Sequence, residues 1–180
     1  MASLSCTLLV CFSATALCLV YMAITGWYMS VLDVLLVVFD VILLTLFGTA
    51  LSSIINFFLS SQGQMSAVGT IVSSGYGFIC GAYMPISSFG IGLRRIISFL
   101  PGTYGTVLMR NHTLRGALSE LTDCGVSSNA VDALKDAIDC NLYFFDHTVP
   151  EIVMYLVLGG AVALLVGIYV LMNLSVKKQK

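Results

Sequence analysis

From residue 41 to residue 93 the chain carries no charged side chain, a run of fifty-three residues bounded by Asp40 and Arg94. A water-soluble domain cannot keep so long a segment uncharged, whereas a bilayer penalises each centrally placed Asp, Lys or Arg by about 2.5 to 3.5 kcal/mol. The run therefore predicts an integral membrane protein. Composition agrees, with 58% hydrophobic and 9% charged residues, against about 45–50% and about 25% in soluble domains. At about 20 residues per span, a chain of 180 residues holds about four spans and one extramembrane segment. The formal net charge of -1 leaves no basic surface large enough to neutralise a phosphate backbone, which excludes a nucleic-acid partner.

The spans follow from the apolar stretches and the turn residues between them. The first covers about 4–26 and ends at Trp27 and Tyr28, aromatics of the kind that sit at headgroup level. No Lys or Arg precedes it, unlike the basic start of a cleaved secretory signal, so it is read as retained. The second covers about 31–59, longer than the bilayer is thick, and must tilt, bend or protrude. Polar Ser60-Ser-Gln-Gly-Gln turns the chain into a third span at about 65–86, interrupted by Pro85. Leu93, Ile96, Ile97 and Leu100 then recur at helical spacing, with Arg94, Arg95 and Ser98 on the opposite side. This predicts a short interfacial helix over about 89–100 whose arginines face lipid phosphate or water.

Pro101-Gly102 stops that helix and a second short one is expected over about 103–111. A polar segment, 111–149, holds most of the carboxylates and one or two short helices, with Val131, Leu134 and Ile138 at helical spacing after Asn129. The last span covers about 150–174. The expected fold is an all-α membrane protein. It is a single transmembrane domain over 1–180 with about four transmembrane helices, two short re-entrant or interfacial helices and a small extracellular loop segment. Lysines in the tail favour the cytoplasmic side, placing both termini inside and 87–149 outside in a multi-pass cell-membrane protein, although Arg94, Arg95, Arg110 and Arg115 pull the other way.

The chain lacks the P-loop, nucleophile-elbow, zincin and Cys-x-x-Cys patterns. His112 and His147 stand apart from any Cys or carboxylate at ligand spacing, so no metal, cofactor or catalytic residue is expected. Cys124 and Cys140 can bridge only if their segment faces an oxidising space. Asp33 and Asp40 share a face of the second span, with Asp40 about 10 Å deeper by helical rise. A carboxyl at that depth needs a hydrogen-bonding Ser, Thr or Tyr neighbour, or a water-filled path. Tyr76 invites the same two readings. Pro85, which cannot donate a backbone hydrogen bond, is a candidate hinge. Ser73, Gly77 and Gly81, and again Gly159, Ala163 and Gly167, are spaced by four, giving flat stripes for packing within the subunit or at a dimer seam.

The order of the third span, Gly81-Ala-Tyr-Met-Pro-Ile, the 89–100 helix, Pro101-Gly-Thr-Tyr, a polar loop and a last span resembles the C-terminal part of a type-2 ABC transporter permease, the transmembrane subunit of an ABC exporter. The specific portion is Gly69 to Arg110. The resemblance implies transport of a substrate using ATP hydrolysed by separate cytoplasmic ABC ATPase subunits. It also implies a second permease subunit, as homo- or heterodimer, and two short helices dipping into the outer leaflet. Asp40, Tyr76, Pro85, Arg94 and Arg95 are then the candidates for transport path or gate. Family permeases usually have six spans and an ATPase-docking helix between the second and third. The chain thus corresponds to a permease whose first two spans and docking helix are truncated or supplied by another polypeptide. A non-transporting membrane interaction or adaptor protein derived from a permease is the alternative.

Overall fold

Gly26, at φ +151°, breaks the first helix, and Ser30 starts the second as one half of a capping box. The Ser30 side chain accepts from the Leu32 N–H, and Asp33 accepts from the Ser30 N–H at 3.1 Å. In the computed structural model, which describes residues 2–144 and 147–177, these signals bound α1 (Ala2–Thr25) and α2 (Val31–Phe57). Ser61 caps α3 (Gln62–Ile79) by accepting from the Gln64 N–H. A 3-10 turn (Ile86–Ser88) and α4 (Ile91–Ile97) follow. Pro101 occupies the first turn of α5 (Pro101–Asp123), where its missing N–H costs nothing. Gly125, at φ +87°, separates α5 from α6 (Ser128–Ala137). Two-residue antiparallel strands, β1 (Tyr143–Phe144) and β2 (His147–Thr148), lead into α7 (Glu151–Lys177).

Among the described residues three helices are long and apolar enough to cross a membrane, over Leu4–Thr25, Val31–Phe57 and Glu151–Ser175. The fold is helical throughout apart from the strand pair, compatible with a multi-pass membrane protein. Of the tail lysines, Lys178 and Lys180 lie outside the described residues.

The architecture departs from the sequence reading between residues 62 and 123. The third apolar helix ends at Ile79, not near 86, because Gly81 takes the left-handed conformation at φ +78°. Pro85 therefore lies outside the helix, at the entry to the 3-10 turn. The expected 103–111 helix and the start of the polar segment are one unbroken helix, α5, twenty-three residues long. The rise in charge density after Asn111 marks no break in the helix, since its arginines find carboxylates on other elements. On the apolar side of α4, Leu93 and Ile96 are exposed and Ile97 is buried, as is Ser98 just past its end. Ser127, not Asn129, precedes α6.

Helix α5 packs between α2 and α7. Gly105 lies against Leu44 and Leu158, and Gly116 so close to the Tyr28 carbonyl that an added Cβ would collide with it. Residue numbers rise along α5 as they fall along both neighbours, so α5 is antiparallel to α2 and α7, which run parallel to each other. Helix α1 packs on α2 and turns back along it through the short 26–30 connection, with Thr7, Cys11 and Thr15 lining one shallow pocket together with Val41, Thr45 and Thr49. The main core joins Ile86 and Ile97 to Tyr104, Val107 and Leu108 of α5 and Met154 of α7. A smaller one, Leu118, Val131 and Cys140, seats α6 on the far end of α5.

Candidate functional site

Asp40 of α2 is wholly buried, and both of its carboxylate oxygens are engaged. His112 Nδ1 lies 2.6 Å from Oδ2, and the Tyr155 hydroxyl donates to Oδ1 at 2.7 Å. The imidazole is itself wholly buried and stacks on the Tyr155 ring at 17° between planes. Its second nitrogen, Nε2, has no hydrogen-bond partner, and Glu151 Oε2 stands 3.9 Å away. Glu151 in turn accepts from Arg115 at 2.8 Å, and Arg115 reaches Asp33 at 3.4 Å. Three helices thus hold one continuous line of ionisable groups, from Asp33 at the start of α2 to Tyr155 in α7.

Each member is placed by helix register. His112 follows Gly105 and Leu108 and precedes Gly116 at intervals of three and four, the face of α5 turned into the bundle. Small residues at both ends of that face let the backbones approach closely enough for His112 to reach Asp40. Burial of charge in such surroundings is tolerable only with paired, hydrogen-bonded partners. The line has them everywhere except at Nε2.

A second assembly holds the turn after α3. Asp139, at φ +53°, accepts from the Ile86 and Ser87 N–H groups. Arg110 donates to the Gly81 carbonyl at 2.7 Å and pairs with Asp139 at 3.6 Å. Arg94 donates to the Phe89 carbonyl at 2.7 Å and to the Ser87 carbonyl, so it is bound to its own turn. The carbonyl of Arg95, also on α4, accepts from the Ser98 hydroxyl at 2.9 Å.

Between the C-terminal half of α2 and α3 lies an apolar cleft of about 340 Å³, lined by Phe47, Leu51, Ile55, Val72 and Tyr76 among others. The Tyr76 oxygen accepts from the Gly102 N–H at 3.2 Å, and Thr106 donates to the Cys80 carbonyl at 2.6 Å, fastening the end of α3 to the start of α5. The five sequence candidates are therefore not one site. Asp40 belongs to the buried line, Tyr76 to the cleft, and Pro85, Arg94 and Arg95 to the turn and helix beyond.

Sequence reasoning singled out Asp40 as needing a Ser, Thr or Tyr neighbour or a water-filled path, but did not bring in His112, Arg115, Glu151 or Asp139. Asp40 meets His112 across 72 residues of chain and Tyr155 across 115, beyond the reach of any local spacing rule. Cys124 and Cys140 are both free thiols. Among the described residues nothing lies within 4 Å of the position a Cβ would take at Gly159 or Gly167 of α7.

No protein-family model matches the chain, and no curated protein or solved structure matches it.

Proposed function

We propose that the chain is the membrane-embedded part of an ABC exporter permease, with ATP hydrolysed by separate cytoplasmic subunits. The observation that carries this reading is the interrupted passage from α3 to α5. Because α2 and α7 are parallel, the chain must recross the bundle between Phe57 and Glu151. Helix α3 runs beside the C-terminal half of α2, across the cleft, and α5 beside its N-terminal half. Together they make a fourth crossing broken at Cys80–Leu100. Broken crossings are tolerated where the irregular backbone is covered by protein or lines a cavity; here Cys80, Gly81 and Ile86 are buried and Cys80 and Ala82 border the cleft. The 3-10 turn and α4 fill the break, and exposed Ile91, Leu93, Ile96 and Phe99 suit a segment dipping into lipid. The family resemblance rests on a complete third span and two short outer helices; of these the structure keeps the apolar helix, the turn at Pro85 and the short α4, and replaces the second short helix by α5.

In this reading the cleft beside Tyr76 lies on the transport path, and the Gly81–Pro85 turn is the flexible element of the gate. With no nucleotide-binding motif in the sequence, hydrolysis in this reading belongs to a partner. Both termini and the 58–61 turn face the cytoplasm. Co-expression with a cassette ATPase and affinity purification through this chain tests the assignment. Recovery of the ATPase with substrate-stimulated turnover is expected, and a chain that never retains one would sink it.

The open space at Gly159 and Gly167 of α7 favours a second reading, a non-transporting protein that binds another membrane helix through that stripe. Restored transport in a permease deletion strain carrying this chain would exclude it.

A further inference from the structure

Between α5, α6 and the start of α7 a polar cleft of about 350 Å³ is lined by Asn111, Arg115, Lys135, Asn141 and Glu151, among others. Glu151 lies at its inner edge, with its carboxyl 3.9 Å from the orphaned Nε2 of His112. If Asp40 stands as a carboxylate that accepts from Tyr155, the 2.6 Å contact to Nδ1 is a hydrogen bond only when that nitrogen carries the ring proton. Nε2 then presents a buried lone pair toward Glu151.

The line around the ring holds more acidic than basic side chains. His112 meets Asp40 of α2 and the Tyr155 ring of α7, and Glu151 of α7 stands 3.9 Å from it; Arg115 of its own helix and Asp33 of α2 join the line through Glu151, and Lys135 of α6 lines the cleft. Arg110 is engaged by Asp139 and does not offset them. Within the line three carboxylates stand against one guanidinium, an imbalance that an imidazolium would reduce. Among the described residues no group of three His, Cys, Asp or Glu could hold a metal ion instead.

We propose that His112 is a buried proton-binding site, loaded from the polar cleft through Glu151. A proton from water in the cleft adds to the Glu151 carboxylate. Rotation of that half-exposed side chain closes the gap, and the carboxyl O–H breaks as the Nε2–H bond forms. Glu151 returns to carboxylate and His112 becomes imidazolium, its Nδ1–H still donated to Asp40. One proton is taken up and no other bond changes. The proposal needs the fold alone and is independent of any ATPase partner.

The test is nitrogen NMR of the full chain, labelled with ¹⁵N-histidine, in lipid nanodiscs. The chain has two histidines, and His147→Gln removes the exposed one. Between pH 9 and pH 5 the His112 signals are expected to pass reversibly from the neutral Nδ1–H tautomer to imidazolium. In Glu151→Gln, which removes a negative charge beside Nε2 and leaves Arg115 less compensated, the ratio of imidazolium to neutral ring at a fixed pH falls about ten-fold. A ring that stays neutral down to pH 5, or an Nε2–H tautomer at high pH, overturns the proposal from the unsubstituted Glu151 protein alone. A ratio unchanged in Glu151→Gln overturns the influence of Glu151 on the ring, and exchange between the two ring states that is no slower in that variant overturns the route through it.

Discussion

Replacing Tyr155 by Phe would leave one oxygen of a wholly buried carboxylate without its donor, at the cost of a single hydroxyl and no ring volume. A hydrogen bond to a charged group contributes about 1.5–3 kcal/mol, and the variant is expected to lose that much in reversible unfolding from detergent micelles. Asp40 also holds His112, so the effects of Tyr155→Phe and His112→Ala should not add. A double-mutant cycle is expected to show coupling of about 0.5–3 kcal/mol. Additive losses would mean that the three side chains do not act through one carboxylate. At this scale the sequence was informative only in part. An Asp about 10 Å into an apolar helix demands a partner on solvation grounds alone. Which partner answers depends on helix packing, and His112, surrounded in sequence by Arg110, Asn111 and Thr113, carries no local mark of burial.

Helix α5 shows why element boundaries were harder to read than element positions. Its polar composition argues for a loop, yet its inner face, Gly105, Leu108, His112 and Gly116, keeps helical spacing across the point where charge density rises. Its far end carries the cluster of Leu118, Val131 and Cys140, and burial there pushes the Cys140 thiol above its usual range despite nearby Arg110 and Lys135. The thiolate is the reactive form, so both low access and the raised thiol protect Cys140. Alkylation at pH 8 is expected to modify exposed Cys124 promptly and Cys140 only after unfolding. A chain in which neither reacts until reduced would instead contain the bridge. The turn after α3 depends on a different side chain. Asp139→Ala strips the acceptor from two backbone N–H groups and places a non-polar residue at φ +53°. The expected loss is about 2 kcal/mol or more, seen locally as faster hydrogen exchange at Ile86 and Ser87. Unchanged exchange there would show that the core around Ile86 holds the turn without Asp139.

For the molecule as a whole the decisive quantity is parity. The apolar stretches announce their own spans, but direction comes from contacts: α2 and α7 are parallel because both run against α5. With α1 antiparallel to α2, Leu4, the 58–61 turn and Ser175 fall at one end of the bundle, and Ser30, α6 and Pro150 at the other. Three apolar helices alone cannot give that arrangement, since a chain that stayed on one side between Phe57 and Glu151 would make α7 antiparallel to α2. Two positions separate the cases. Native Cys124, exposed just beyond α5, marks one side, and Ser60→Cys in a Cys124→Ser background marks the other. In sealed, oriented vesicles a membrane-impermeant maleimide is expected to label these two sites from opposite faces, with Ser60→Cys on the face bearing the C-terminal tail. Labelling of both from the same face would mean that α3 and α5 do not cross together, and the broken crossing on which the exporter reading rests would be lost with it.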